Sequence, residues 1–309
     1  GRLYLGTSGY AYPEWKGAFY PPDLPAGRFL PFYAERFSTV EINNTFYRFP
    51  SETTLRSWHD GTPPGFRFAV KANRRVTHDA RLRDAAVPAA LDFIARCQAL
   101  GPKLGPVLFQ LPPYLRRDDE RLAAFLAALP PNARYAFEFR HPSWFDAHVL
   151  ELLARHDTAL CVNESEGLGA PPVATTDFAY LRLRKEAYTD RELMGWRRWI
   201  ERELEAGRDV YAYLKHDEEG AAPELALRLL GPTASPAPPP GTAGCDALPF
   251  DSRRARKFKG SSDAQRTHRA PPPPRCIRRK RAPGLPACGP HWPVRACPRV
   301  RRYSRGRPT

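Results

Sequence analysis

The sequence predicts a single α/β domain over residues 1–231, a (β/α)8 barrel of the TIM type, and three observations lead to that prediction. First, β-rich runs alternate with helical runs along this stretch, which indicates right-handed βαβ units and a parallel sheet. Second, eight such units in this length match a closed barrel, which usually has about 250 residues. Third, the first strand is followed by "GTSGYAYPEW" rather than by the G-x-G-x-x-G turn typical of the rival fold, a doubly wound open sheet.

Eight short runs rich in β-branched and aromatic residues are predicted as strands. In chain order they are 3–8, 39–46, 66–73, 105–112, 134–141, 158–165, 178–185 and 209–218. Because consecutive strands are separated by helical or loop crossovers, all eight are expected to run parallel.

Helical spacing of apolar residues predicts the segments between these strands. They are 29–37, 53–60, 84–101, 118–129, 143–157, 189–207 and 223–231. Gly101 is expected to end the third helix, and Ser143 is expected to cap the fifth. Thr189 and Glu192 predict a capping box at the start of the sixth helix.

Residues 232–309 differ in kind from the predicted barrel. They contain 18 Lys and Arg against 3 Asp and Glu, so the whole formal charge of +15 lies in this tail. The barrel segment is therefore neutral overall, and its charge does not indicate a nucleic-acid partner. The tail also has 16 prolines and no apolar periodicity, which predicts a disordered segment. Two interpretations stay open: a basic arm for nucleic acid or acidic surfaces, and a non-native extension of the kind that out-of-frame translation gives.

The cellular context is predicted from apolar runs and cysteines. No run approaches the 18 or so apolar residues of a transmembrane helix, and no basic-then-apolar leader opens the chain. Cys97 and Cys161 stand in apolar surroundings typical of buried thiols. The cysteines of the tail lack the paired spacing of zinc ligands. We expect a cytoplasmic protein that does not enter a membrane.

Polar side chains end all eight predicted strands, and in a barrel the carboxyl ends of the strands form the active-site face. Period-two alternation puts Glu41 with Asn43, and Glu138 with Arg140, on one face of each strand. Both glutamates stand between apolar residues. A direction toward the helices would bury them unpaired at high cost, so we expect both to point into the barrel mouth.

Two interpretations of these glutamates remain open. They could do general acid/base work if their surroundings separate their pKa values, or they could form an ion-pair network that ties strands together. Basic side chains outnumber them, which predicts an anionic ligand such as a carboxylate or a phosphate. Against a phosphate, the turn "RKEAYTD" lacks the glycines of the usual barrel phosphate site. The basic candidates are Lys71, Arg140, Arg182 and Lys215.

A divalent metal ion is an open alternative, and no other cofactor is predicted. Nitrogen and oxygen ligands are available from His141, His216, Asp217, Glu41 and Glu138. None of them stands in an H-x-H or H-E-x-x-H spacing, so no metal ligand is assigned.

Aromatic side chains crowd the predicted loops around the mouth. Trp15, Tyr47 or Trp144 would either pack the loops onto the barrel or form a stacking wall for a ligand, as in many small-molecule sites. His78 follows "RRVT" and is expected either over the mouth or as a lone surface histidine.

Six motifs follow one another along the chain: "GTSGYAYPEWKGAFYP", "VEINNTFYRFP", "FRFAVKANRRVTH", "GPVLFQLPP", "AFEFRHPSWF" and "VYAYLKHDEEGAAPELALRLL". In this order they resemble the YecE-like domain-of-unknown-function 72 family from about Gly1 to Gly231. The resemblance implies a TIM-type barrel but supplies no reaction, because the activity of that family is not established. The positions carried over are Glu41, Asn43, Tyr47, Lys71, His78, Gln110, Glu138, Arg140, His141 and Trp144.

Three departures from the family pattern stand out. The seventh predicted strand reads "RLRK", with Arg184 where a histidine is common. The sixth ends in Asn163 and Glu164 where Ser-Asp is common. The tail from Pro232 is expected to have no counterpart in the family.

The sequence thus predicts an enzyme, either a hydrolase, a lyase or an isomerase, that acts on a small anionic or polyhydroxylated ligand. Glu138 and Glu41 are the acid/base candidates, and His141 is a proton shuttle or a ligand contact. The alternative is a non-catalytic metabolite-binding module whose tail, if native, contacts nucleic acid. The expected substrate-binding residues are Asn43, Tyr47, Lys71, His78, Gln110, Arg140, Trp144, Arg182 and Lys215.

Overall fold

The computed structural model describes residues 1–165, 168–215 and 220–231. These residues form nine strands: β1 Leu3–Thr7, β2 Thr39–Ile42, β3 Arg67–Lys71, β4 Leu104–Gln110, β5 Tyr135–Glu138, β6 Thr158–Ser165, β7 Leu168–Gly169, β8 Phe178–Leu183 and β9 Asp209–Leu214. They also form seven α-helices: α1 Phe29–Ala34, α2 Glu52–Asp60, α3 Val87–Cys97, α4 Asp119–Ala127, α5 Ala147–Arg155, α6 Asp190–Glu205 and α7 Ala221–Leu230.

Eight of the strands make a nearly closed parallel barrel, which confirms the predicted fold. The strand order is β1-β9-β8-β6-β5-β4-β3-β2, and every ladder along this path is parallel. The remaining strand, β7, is a two-residue antiparallel partner of β6. Because all eight barrel strands point the same way, their carboxyl ends form one rim, the barrel mouth.

The barrel closes between β1 and β2 through side chains and close backbone approach. The Tyr33 hydroxyl accepts a hydrogen bond from the Thr7 amide at 2.7 Å and donates to the Thr39 carbonyl at 3.2 Å. A Cβ at Gly6 would stand 2.0 Å from the Thr39 carbonyl oxygen. Glycine is therefore required at residue 6 for the two strands to come this close.

The inside of the barrel is filled by small residues on one side and tyrosines on the other. Ala69, Ala136 and Ala159 on β3, β5 and β6 share a buried cluster with Tyr180 and Tyr213 on β8 and β9. A larger apolar core lies between the strands and the surrounding helices. The barrel is thus a packed core and not a pore, as is usual for this fold.

The helix boundaries confirm some predictions and correct others. Thr189 and Glu192 form the predicted capping box of α6. Ser143 does not cap α5, because it lies in a 3-10 turn and the Asp146 side chain caps that helix instead. Gly101 does not end α3, which stops at Cys97; the chain continues as a 3-10 turn in which Gly101 has a φ of 52°.

Several predictions fall outside the described residues. His216, Asp217 and the predicted tail 232–309 belong to that group, so the domain boundary at Gly231 stays a prediction. Cys97 and Cys161 are buried free thiols, as expected. None of the described helices is both long enough and apolar enough to cross a membrane.

Candidate functional site

A layer of polar side chains lies at the carboxyl ends of the barrel strands, and we call it the mouth layer. Strand alternation puts these side chains on the inward face. Glu138 stands two residues after Ala136 and Arg182 two residues after Tyr180, and both of these earlier residues belong to the interior cluster. The members of the mouth layer are Glu41, Lys71, Gln110, Glu138, Arg140, Asn163, Arg182 and Arg184.

Arg182 is at the centre of the mouth layer and joins two carboxylates. Its Nη2 donates to Glu41 Oε1 at 2.7 Å, and its Nη1 donates to Glu138 Oε2. Arg182 is only 1% exposed, and both glutamates are fully buried. A buried guanidinium shared between two buried carboxylates is an ion-pair network, which was one of the two open interpretations of the glutamates.

Glu41 has hydrogen bonds to both carboxylate oxygens. The Ser8 hydroxyl and the Asn43 amide each donate to Oε1 at 3.0 Å. The Tyr180 hydroxyl donates to Oε2 at 2.7 Å. With Arg182 added, four donors surround this side chain, and two of them, Tyr180 and Arg182, come from β8. Glu41 is therefore held in place and has little capacity left to contact a ligand.

Glu138 is surrounded in the same way, and its contacts extend to a lysine. Gln110 Nε2 donates to Oε2 at 2.9 Å, and Arg140 Nε donates to Oε1 at 2.9 Å. The other end of the Gln110 amide accepts from Lys71 Nζ at 2.8 Å. Gln110 is nearly buried and thus links the ion-pair network to the amine of Lys71.

The charges around both glutamates keep them ionised. Burial alone would raise the pKa of Glu138, but the Arg182 and Arg140 guanidinium charges outweigh it and hold the pKa well below its usual range. Burial opposes ionisation at Glu41 too, and there the Arg182 charge with the Tyr180 and Asn43 hydrogen bonds lowers the pKa. A general acid or base needs a pKa near the working pH, and neither group has one.

Positive charge is in excess in the mouth layer. Arg182 is neutralised by the two glutamates, and Arg140 shares Glu138 with it. Among the described residues, Lys71 and Arg184 form no ion pair with a carboxylate. Four cations thus stand against two carboxylates, and Lys71, Arg140 and Arg184 are the three that are partly exposed.

Burial and the neighbouring Arg182 both disfavour the charged form of two of these cations. Burial, followed by the charge of Arg182, lowers the pKa of Lys71 to about 8. Burial and the same neighbour lower the pKa of Arg184. Both shifts mean that the site disfavours its own positive charge. A bound anion would relieve that repulsion.

The two predicted histidines follow barrel strands: His78 lies in a π-helical turn, Arg75–Asp79, after β3, and His141 precedes a 3-10 turn after β5. Nδ1 of His141 accepts from the Ser143 amide at 3.2 Å and stands 2.8 Å from its hydroxyl oxygen, so this nitrogen is occupied. Nδ1 of His78 stands 2.9 Å from the Thr77 hydroxyl oxygen, and the ring packs edge-on against Phe46. Burial and the Lys71 charge lower the pKa of His78, which leaves its ring neutral at neutral pH.

Two of the three aromatic side chains take the packing alternative, which does not fit the substrate-binding role expected of Trp144. Trp144 is 1% exposed and stacks on Phe139 at 4.7 Å, while its indole N–H donates to the Leu115 carbonyl. Trp15 is fully buried. Both rings pack the loops onto the barrel and offer no face to a ligand. Tyr47 is 76% exposed and is the only one of the three predicted aromatics available for stacking.

Two further predictions change and one residue was missed. Arg182 was expected to bind substrate, but its burial beneath the mouth makes it a support for the other side chains. Lys215 is partly exposed, and its Nζ stands 3.9 Å from Glu186 Oε1, so it lies at the edge of the site. Sequence reasoning missed Tyr180, although it stands two residues before Arg182 and alternation alone could have placed both on the same inward face.

The described residues contain no group of three or more His, Cys, Asp and Glu side chains arranged to hold a metal ion. Glu41 and Glu138 do not fit as metal ligands, because their oxygens are already occupied by Arg182 and other donors. Of the other candidates for ligation, His216 and Asp217 lie outside the described residues.

Comparison with known proteins supports the expected relationship. The family described as "Protein of unknown function DUF72" matches residues 4–241. The match passes Gly231, so the first residues of the predicted tail do have a counterpart in the family and that part of the prediction was wrong. The UPF0759 protein YecE of Escherichia coli (strain K12) is 31% identical over 144 residues, which cover 46% of this chain and 50% of that protein.

Another curated relative and two solved structures are similar to this chain as well. The UPF0759 protein YunF of Bacillus subtilis (strain 168) is 29% identical over 156 residues, covering 48% of this chain and 54% of that protein. The chain therefore spans about half the length of the curated relatives it matches. A DUF72 family protein of Thermotoga maritima MSB8 superposes with a TM-score of 0.67 at 28% identity, covering 74% of this chain and 98% of that chain. A DUF72 family protein of Enterococcus faecalis V583, with a TM-score of 0.62 at 16% identity over 74% of this chain and 94% of that chain, shows the fold alone.

Proposed function

The chain belongs to the DUF72 family of proteins of unknown function, and from that premise we propose that its barrel mouth binds a small anionic ligand, on which the protein acts as an enzyme. The ligand would carry a carboxylate or a phosphate group. Its anion would lie among Lys71, Arg140 and Arg184, above the buried Arg182. The polyhydroxylated ligand that the sequence left open is less well matched, because neutral hydroxyl groups would not compensate the surplus positive charge.

One observation supports the anion most strongly: the positive charge of the mouth layer is not balanced. The two carboxylates are both taken up by Arg182, so the charges of Lys71 and Arg184 remain uncompensated among the described residues. Guanidinium groups bind carboxylate and phosphate in a bidentate manner, and such charged hydrogen bonds are roughly twice as strong as neutral ones. An anion entering this site would gain those bonds and lower the repulsion between the cations.

In this proposal the two glutamates have an electrostatic role instead of a proton-transfer role. They neutralise Arg182 and hold Arg140 by its Nε, which leaves the terminal nitrogens of Arg140 for a ligand. His141 stays a candidate ligand contact, since only its Nδ1 is occupied. Tyr47 is the candidate for packing against the rest of the ligand.

An enzyme is favoured over a simple binding module by the amine of Lys71. A module that only stores an anion needs fixed positive charge, and an arginine supplies it at any physiological pH. At residue 71 the site has instead a lysine whose pKa is lowered to about 8, so its charge changes near neutrality. The contact of the tail with nucleic acid and the cytoplasmic location remain predictions.

Calorimetric titration of the full chain with inorganic phosphate, and separately with a small carboxylate such as malonate, tests the proposal. We expect saturable binding of at least one of the two. Replacement of Arg184 by Gln should weaken it at least about tenfold, the value of one charged hydrogen bond.

Arg56→Gln is the matched control, since Arg56 is an exposed arginine on α2 that pairs with Glu52. It should bind the anion like the unaltered protein. Equal affinity in the Arg184→Gln and Arg56→Gln proteins, or no saturable binding of any anion, would overturn the proposal.

A further inference from the structure

The amine of Lys71 stands at the carboxyl end of β3 in a setting that differs from an ordinary surface lysine. Nζ donates to Gln110 Oε1 at 2.8 Å and lies 4.3 Å from the centre of the Phe46 ring. The side chain is only partly exposed, and among the described residues no carboxylate lies within 4.0 Å of its nitrogen. Its amine is therefore not committed to a carboxylate and is available to a ligand that enters the mouth.

The groups that face Lys71 come from all sides of the mouth. Burial and the charges of Arg182 and Arg140 favour its neutral form, while the two ionised glutamates favour its charged form. His78 also faces it and is itself pushed toward neutrality by the lysine. With a pKa of about 8, roughly one molecule in ten carries a free amine at pH 7, against fewer than about one in a thousand for an unperturbed lysine.

We propose that Lys71 is a nucleophile that forms an imine with the carbonyl carbon of a small anionic aldehyde or ketone bound at the mouth. This inference rests on the proposed function, because the anionic group of the substrate would be held by Arg140 and Arg184. Lysines made reactive by desolvation or by neighbouring cations are an established route to covalent catalysis of this type.

The step balances without any oxidant or reductant. The lone pair of Nζ forms a bond to the carbonyl carbon, and the electrons of the C=O π bond move to the oxygen. One N–H proton passes to that oxygen, which gives a carbinolamine. The hydroxyl then leaves with the second N–H proton as water, and a C=N bond forms. An imine draws electrons from the adjacent carbon, so the reaction class that follows is that of a lyase or an isomerase.

The probe for this inference is pyridoxal 5′-phosphate, which combines an aldehyde with a phosphate group. The full chain is incubated with the probe, reduced with borohydride and mapped by peptide mass spectrometry. Lys71 should be labelled at least tenfold faster than the exposed Lys16 at pH 7. The Lys71 labelling rate should rise to half its maximum near pH 8, and inorganic phosphate should slow it.

Two variants sharpen the experiment. The Lys71→Met protein should show no fast labelling. In the Lys16→Arg protein, Lys71 should be labelled at the same rate as in the unaltered protein. If Lys71→Met does not fold, the peptide map of the unaltered protein still decides the question. Labelling at similar rates on Lys71 and Lys16 overturns the imine inference, whatever phosphate binding shows. Loss of the imine with retained anion binding leaves the anion site standing, whereas the absence of saturable binding of both phosphate and malonate removes the proposed function itself.

Discussion

Arg182 holds the mouth layer together, because a buried guanidinium is stable only while its charge is compensated. Both of its carboxylate partners are buried. If one member of the pair is removed, the remaining charge therefore cannot become hydrated. Glu138→Gln should therefore lower the free energy of unfolding by about 3 kcal/mol, measured from urea unfolding curves at pH 7. This expectation separates an ion-pair role from a catalytic one, since removal of a purely catalytic carboxylate leaves stability nearly unchanged.

Glu52→Gln is the matched control, because Glu52 forms an exposed pair with Arg56 and exposed pairs contribute little. Its unfolding curve should overlay that of the unaltered protein. If the Glu138→Gln and Glu52→Gln proteins have the same free energy of unfolding, the buried ion-pair network does not stabilise the barrel mouth.

The same network has a defined pH dependence. The folded state holds the pKa of Glu138 below its unfolded value of about 4.3, so ionisation favours folding. The contribution is complete above that value and is lost progressively as the pH falls through it toward the lower folded pKa. The stability difference between the unaltered protein and Glu138→Gln should therefore shrink between pH 6 and pH 3. A difference that stayed constant over this range would contradict the ionic origin of the effect.

At the scale of single residues, sequence reasoning placed side chains on the correct face better than it assigned their partners. The inward direction of Glu41 and Glu138 followed from alternation and the cost of unpaired burial. The sequence did not show how far the Arg182 side chain extends toward the centre of the barrel, where the glutamates lie. Arg182 was therefore predicted to contact a ligand. Trp144 was misjudged because a loop position does not reveal whether a ring lies above or beneath its neighbours.

At the scale of elements, the closure between β1 and β2 depends on a glycine. A methyl group at residue 6 would stand 2.0 Å from the Thr39 carbonyl oxygen and 2.8 Å from the Tyr33 hydroxyl. Gly6→Ala should therefore force the strands apart and cost at least about 2 kcal/mol, seen as a lower urea midpoint.

Gly195 on α6 gives the contrasting control. A Cβ there would meet no atom within 4 Å, and alanine is the better helix former. Gly195→Ala should leave the free energy of unfolding unchanged or raise it by up to about 1 kcal/mol. The urea midpoint should accordingly stay the same or increase. If both glycine replacements changed the urea midpoint equally, glycine at residue 6 would not be what allows β1 and β2 to approach closely.

The elements themselves were largely predictable, and their ends were not. All eight barrel strands and seven helices were expected from apolar periodicity, and the α6 capping box was read directly from Thr189 and Glu192. Predicted strands ran too long, because alternation continues past the last ladder hydrogen bond at positions such as Asn43 and Arg140. Ser143 and Asp146 were both suitable caps within one turn, and only the 3-10 turn started by Pro142 decides between them.

At the scale of the whole molecule, the barrel brings the carboxyl ends of eight strands to one rim, and there the charges collect. Sequence reasoning predicted that rim from strand count alone, and it predicted a surplus of basic groups there. It could not show that Arg182 would take up both carboxylates, because that depends on β2, β5 and β8 facing one another across the barrel. The rim therefore carries surplus positive charge.

A crystal soaked in tungstate, an electron-dense stand-in for a tetrahedral anion, tests that claim most directly. We expect density at the barrel mouth within hydrogen-bonding distance of Lys71, Arg140 and Arg184. The opposite end of the barrel offers a competing site, a cavity of about 760 Å³ bordered by Arg67 and Arg134. Tungstate there, with no density at the mouth, would contradict the account.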